Sequence, residues 1–270
     1  MNVVEIVIPY KISDGIFSLF MGGDEHLGIK HCAEESIRRY VKRVKATPFS
    51  RWIGMGDKGE FITPSDPRWD SGVIANWLDQ EDIGYTIERR YEKHYSPISD
   101  SCIGLVKGNH EYSMQSHNHE RVHDHICERL GVRDLGYSAF IRLIFRRKHS
   151  KEAHSFLVYV AHGSGNAITK GAKVNKLQRI MDAFEADMYA VGHMHELITD
   201  SKPYLALNSN NKLIEKRKIG AVTGCYFQTY MQDVPASYGE RKGYPPTAIG
   251  SAVFEINPST GEIDVHRVQE

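Results

Sequence analysis

Five short polar motifs hold the side chains that could do chemistry. They are Asp24-Glu25-His26-Leu27-Gly28, Gly56-Asp57-Lys58-Gly59-Glu60, Gly108-Asn109-His110-Glu111, His162-Gly163 and Gly192-His193-Met194-His195. Asp24 and His26 stand two apart on a predicted loop and can share one metal ion. Asp57 follows a glycine, and a carboxylate there can offer one oxygen to each of two cations. Asn109 brings a neutral, hard oxygen donor. Its neighbour His110 is free to act as an acid outside the ligand set or to contact a phosphate, with Glu111 placed to orient the ring. His162 follows a predicted strand. His193 and His195, at i and i+2 on an extended segment, point to one side, and Gly192 permits close backbone approach.

Each motif alone has a plainer reading as an Asx turn, a strand-ending turn or a packed histidine. Seven donors in order, each after a predicted strand, do not: Asp24, His26, Asp57, Asn109, His162, His193 and His195. Imidazole, carboxylate and amide donors suit a pair of divalent ions and not cysteine-rich structural zinc. Manganese heads the expectation, with iron, zinc or nickel as alternatives. Two such ions about 3.5–4 Å apart can activate a bridging water and neutralise a phosphoryl oxygen.

The elements that must position these residues alternate strand and helix over the first two-thirds. Predicted strands cover 16–21, 52–55, 103–106, 140–145, 156–160 and 188–191, and predicted helices cover 34–45, 70–95, 117–130 and 174–184. The polar motifs fall just after strands, at the edge where α/β sheets bind ligands. After Leu197 the pattern is mostly β, with strands expected at 203–208, 211–216, 219–230, 250–256 and 262–268. No linker or repeat divides the chain, so one domain over residues 1–270 is expected.

The set D-x-H, G-D, G-N-H-E, H-G and G-H-x-H resembles that of the calcineurin-like metallophosphoesterase superfamily. The resemblance spans residues 24–195. It implies a four-layer αββα sandwich of the α/β class, with two mixed β-sheets and a dinuclear metal site at the sheet edge. It also implies that Asp24, His26, Asp57 and His195 hold one ion and Asp57, Asn109, His162 and His193 the other. His110 would then protonate the leaving oxygen or steady the phosphate.

The protein phosphatases of that superfamily carry an Arg after the bridging Asp. Here the matching stretch is Glu60-Phe61-Ile62, which disfavours that subclass. The loop after His162 enters a predicted helix through Thr169-Lys170-Gly171-Ala172-Lys173, and Lys170 and Lys173 are candidate phosphate contacts alongside Asn109 and His110. Basic clusters at Arg146–Lys151, Lys212–Lys218 and Arg241–Lys242 would form a phosphate-tracking groove if they shared the face of the site. The tail Ser237–Pro246 is similar to tails of phage-type members, and the repair-nuclease branch shares the metal set. The expected activity is therefore a phosphodiesterase on DNA, RNA or nucleotides. The alternatives are a phosphomonoesterase and a non-catalytic binding protein of the same fold. His119 and His123, at i and i+4 in a histidine-rich run, read as a solvated helix face.

Composition narrows the surroundings. The 270 residues carry 34 Lys+Arg and 34 Asp+Glu, so no global basic field advertises nucleic acid. The four cysteines form no CxxC pair, which suggests free thiols in a reducing compartment. No apolar run of about 20 residues predicts a membrane helix. The expected location is the cytoplasm, the host's if the gene is phage-borne.

Overall fold

The computed structural model describes residues 1–64, 66, 69–165 and 167–270. Its strands are β1 (Asn2–Tyr10), β2 (Phe17–Gly22), β3 (Ser50–Gly54), β4 (Cys102–Leu105), β5 (Ser138–Arg147), β6 (Ala153–Ala161), β7 (Met188–Val191), β8 (Leu197–Leu207), β9 (Leu213–Thr223), β10 (Gly250–Ile256) and β11 (Ile263–Gln269). Its helices are α1 (Glu34–Ala46), α2 (Ile83–Tyr95), α3 (Asn109–Asn118), α4 (Val122–Leu130), α5 (Lys170–Ala183) and the short α6 (Tyr238–Arg241).

Two mixed sheets form, flanked by helices. One has the order β1-β5-β6-β7-β9-β8, the other β11-β10-β2-β3-β4. Within the second sheet β2, β3 and β4 are parallel neighbours, and within the first β6, β7 and β9 are.

Alternation along the strands builds the layers, because successive side chains leave opposite faces. Leu19 and Met21 of β2 join Val158, Val160, Met188 and Ala190 in a core between the sheets. Their neighbours face outward: Phe20 and Trp52 pack with Ile37, Tyr40, Ile87 and Tyr91 of α1 and α2. On the far side Tyr159 and Tyr189 pack with Leu177 and Met181 of α5. The result is the expected order of helix, sheet, sheet, helix. Among the described residues no helix is long and apolar enough to cross a membrane, and all four cysteines are free.

Three expectations about elements are corrected. The predicted helix over 70–95 is α-helical only from Ile83, with a single 3-10 turn at Ser71–Val73 before it. Asp70 and Asp79 each accept the backbone N–H two residues ahead, which favours turns, and Asp82 accepts Tyr85 N–H as the cap that starts the helix. The predicted helix over 117–130 is two helices, broken where His119 adopts φ 58°. The strands expected at 203–208, 211–216 and 219–230 are one long hairpin, β8 and β9, ending at Thr223.

Candidate metal centre

All five motifs sit where a strand ends. β2, β3 and β4 deliver Asp24 with His26, Asp57, and Asn109 from one sheet. β6 and β7 deliver His162 and His193 with His195 from the other. The loops carry the ladder past the strands: Asp24 N–H donates to Gly56 O at 2.8 Å and His26 N–H to Asp57 O at 3.1 Å.

The backbone turns sharply at these residues. Asp24, His26, Asp57, His193 and His195 all have positive φ, between 44° and 66°. Residues other than glycine adopt that region rarely, and Asp and His are among the more frequent. This corrects the expectation of an extended Gly192–His195 segment. With both histidines turned, the two rings go to different clusters. Gly56 and Gly108 meet a tighter demand. A Cβ at Gly56 would lie 2.5 Å from His162 Nδ1, and one at Gly108 would overlap Asp57 Oδ1.

The donors converge in two groups. In one, Asp24, His26 and His195 bring ligand atoms within 4.8 Å of one another; in the other, Asp57, His162 and His193 do. His26 Nε2 and His195 Nε2 face each other at 3.0 Å, and His195 Nε2 lies 3.3 Å from Asp24 Oδ1. His162 Nε2 lies 3.0 Å from Asp57 Oδ2 and 3.1 Å from Asn109 Oδ1. His193 Nδ1 is buried without a hydrogen-bond partner. Backbone amides hold the carboxylates: His193 N–H donates to Asp24 and His110 N–H to Asp57 Oδ1 at 2.9 Å.

The second nitrogen of several rings is already committed, which fixes tautomer and orientation. His162 Nδ1 donates to Met55 O at 2.8 Å. His26 Nδ1 meets Glu60 Oε2 at 2.7 Å, and His110 Nδ1 donates to Glu60 O at 2.5 Å. Nε2 is thus the inward atom of His26 and His162 and the remaining nitrogen of His110.

The charges are strongly interdependent. Burial alone would lower His26 and His162. The hydrogen-bonded Glu60 carboxylate instead raises His26 to about 9, and Asp57 raises His162 to about 10. Burial opposes the charge on Asp57, yet His162 and His110 hold its carboxyl well below the usual range. Burial and the neighbouring His162 push His193 down to about 4, and burial lowers His195. The clusters are oxygen and nitrogen donors without cysteine, with an orphaned imidazole nitrogen and two opposed Nε2 atoms. A divalent cation fits that chemistry, and binding would displace the protons on His26 and His162.

Residues beyond the predicted ligands matter too. Glu111 does not orient His110, contrary to expectation. Its carboxylate accepts the backbone N–H groups of Asp57 (3.2 Å), Lys58 (2.6 Å) and Gly108 (2.7 Å). It also pairs with the buried Lys58 ammonium at 3.7 Å. Lys58 Nζ donates to Val106 O and to His123 Nδ1, whose other nitrogen donates to Asp134 at 2.8 Å. A buried chain of polar groups thus backs the Asp57 turn. Sequence reading missed Glu60, Lys58 and His123 here. Lys58 and Glu60 stand in the Asp57 motif itself, which was a local signal; His123, 65 residues from Lys58, carried none.

A cavity of about 380 Å³ opens on the clusters, lined by His26, Asp57, Glu60, Asn109, His110, His193 and His195 among others. Of the lysines expected to contact phosphate, Lys173 lines it but pairs with Glu196 at 3.2 Å. Lys170 is exposed and outside the lining. The loop between them and His162 is tethered by Lys176 Nζ, which donates to Ser164 O and Gly165 O; its Asn166 lies outside the described residues. The basic clusters do not form a shared groove. Arg146–Lys151 and Lys212–Lys218 sit at hairpin ends opposite the site, and only Arg241 reaches the cavity, where it pairs with Asp70 at 2.5 Å. His119 and His123 share no helical face, and His125 pairs with Glu88.

Comparison with known proteins is sparse in sequence. No family model matches the chain, and no curated protein does. Several solved structures align over most of its length. A predicted phosphoesterase, otherwise uncharacterized, from Streptococcus pneumoniae is 12% identical, with 94% of this chain and 98% of that one covered and a TM-score of 0.35. Vps29 from Chaetomium thermophilum is 10% identical, with 93% and 95% covered and a TM-score of 0.40. A metallophosphoesterase from Sphaerobacter thermophilus is 12% identical, with 94% and 89% covered and a TM-score of 0.40. Likenesses this distant assign no function, which rests on the chain's own geometry.

Proposed function

We propose that this chain is a metal-dependent phosphoester hydrolase that prefers phosphodiesters of nucleotide size. The observation that carries the reading is the meeting of five strand-end motifs in two donor clusters on one cavity. Asp24, His26 and His195 would hold one divalent ion, His162, His193 and Asn109 the other, with Asp57 shared. When bound, such a pair supplies Lewis acidity that activates water and withdraws charge from the phosphoryl group.

The chain's own groups do the rest. His110 is held at Nδ1 by Glu60 O, so Nε2 is the atom from which a proton reaches the leaving oxygen. Glu60 and Glu111 keep His26 and the Asp57 turn in register. The cavity's charge favours diesters. Glu60 is paired with His26, and among the described lining residues Lys173 and Arg241 are paired with Glu196 and Asp70. The single charge of a diester can be met by the bound ions alone, whereas the second charge of a monoester would find no unpaired lysine or arginine among those residues. The basic clusters give no support to a long polyanion.

The test is a hydrolysis screen with manganese, iron, zinc and nickel across phosphomonoesters, phosphodiesters and polynucleotides, with metal analysis of two variants. Asp57→Asn should lose bound metal and activity together. His110→Ala should keep its metal and lose about 10²–10⁴-fold in kcat. A metal-loaded protein that hydrolyses no phosphoester would sink the reading.

A further inference from the structure

The cavity has a second half that the metal chemistry does not use. Beyond the donor clusters its walls are mostly apolar and aromatic, with Ile29, Trp69, Ile74, Phe227, Tyr238 and Tyr244 among them beside the paired Asp70 and Arg241. These residues come from the stretch after the first motif, from 69–74 and from the tail, segments that supply none of the seven donors. His31 stands in this wall. It is 1% exposed, and neither ring nitrogen has a hydrogen-bond partner. A polar group buried in that state destabilises the fold, so its presence needs a reason.

Phe227 relates the two halves. Its ring lies 5.4 Å from that of His26 and 5.6 Å from that of His195, while its other neighbour is the His31 ring at 6.0 Å and 33°. A group bonded to a phosphoryl at the clusters would therefore pass Phe227 and meet His31. Neutral imidazole offers one donor and one acceptor. Its complement is a planar ring whose edge also carries both, and aromatic walls suit the faces of such a ring. About 380 Å³ accommodates one ligand of drug or mononucleotide size.

We infer that this half of the cavity binds one heteroaromatic group of the nucleobase class, attached to the scissile phosphoester, and that His31 reads its hydrogen-bonding edge. The inference rests on the proposed hydrolase reading for the position of the phosphoryl group, but the pocket itself is testable without metal or turnover. Metal-stripped protein is titrated with the common nucleosides and with ribose, following tryptophan fluorescence; the same titration of Trp69→Phe gives the contribution of Trp52 and Trp77, and the difference is the signal of Trp69. At least one nucleoside should quench saturably while ribose does not. His31→Phe should weaken that binding about tenfold, and His31→Gln, which keeps a donor and an acceptor, should recover most of it. With manganese, His31→Phe should lower kcat/KM for nucleoside phosphodiesters about tenfold more than for dimethyl phosphate, through KM.

No saturable nucleoside binding, or equal binding by wild type and His31→Phe, overturns the pocket assignment. So does nucleoside binding with no loss in the His31→Phe kinetic ratio. Nucleoside binding in a protein that hydrolyses no ester with any metal upholds the pocket and overturns the hydrolase reading instead.

Discussion

Replacing Glu111 by alanine should cost far more stability than any single contact of that residue suggests. Its carboxylate serves three backbone amides, those of Asp57, Lys58 and Gly108, and faces the Lys58 ammonium at 3.7 Å. Glu111 is 1% exposed and Lys58 0% exposed, so water cannot take over. Each orphaned buried donor costs about 1–3 kcal/mol, and breaking a buried ion pair about 3–5 kcal/mol. These terms overlap because relaxation serves several at once. The expected loss is about 3–5 kcal/mol, a large share of the 5–15 kcal/mol typical of a folded domain. At about 2 °C per kcal/mol for a chain of this size, Tm should fall by about 6–10 °C. Calorimetry on metal-stripped wild type and Glu111→Ala measures it directly. The double variant Glu111→Ala with Lys58→Met should lose less than the two single losses together, since it removes the stranded ammonium. A loss under about 1 kcal/mol in Glu111→Ala, or strict additivity of the pair, would refute the account of Glu111 as the clasp of the Asp57 turn.

Two further outcomes are expected. Gly56→Ala should fold less stably and lose metal affinity, because φ is +94° there and the added Cβ would meet His162 Nδ1 and Gly108 Cα; equilibrium dialysis against wild type checks it, and unchanged affinity would count against the packing described. Glu34 is held down to about 2: burial pushes it up, but hydrogen bonds from His94 and Arg90 outweigh that. Its folded value lies below the ordinary 4.5, so the stability it adds is full above about pH 4.5 and is lost as pH falls toward 2. The stability gap between wild type and Glu34→Gln in urea should therefore shrink from pH 7 to pH 3, and a gap that widens would be inconsistent with this pairing.

Much of the scaffold was readable from local pattern. The run Met188–Val191 is a strand because it is apolar and bounded by Asp187 and Gly192. The buried face of α1, with Ile37, Tyr40, Val41 and Val44, follows helical spacing. The donors were readable because each follows a strand. What escaped was set by partners far along the chain. Glu111 serves amides more than fifty residues away, and His123 meets Lys58 across 65 residues; such contacts leave no trace in neighbouring residues. The positive φ at His193 and His195 also escaped, since nothing adjacent announces a turn that non-glycine residues adopt rarely. The fates of the clusters Arg146–Lys151 and Lys212–Lys218 depended on which end of a hairpin faces the cavity, and that of Lys173 on its pairing with Glu196, matters of topology and not of composition.

The donors are drawn from both sheets, and His26 and His195 meet across 169 residues of chain. No nascent or half-folded intermediate can therefore present the complete set. A chelating core would exist only after the sheets have docked, so ion capture would come at the close of folding and lock its outcome. Cation uptake during refolding should thus lag behind the recovery of secondary structure, and an ion held at high affinity would mark the chains that had finished folding from those that had stalled.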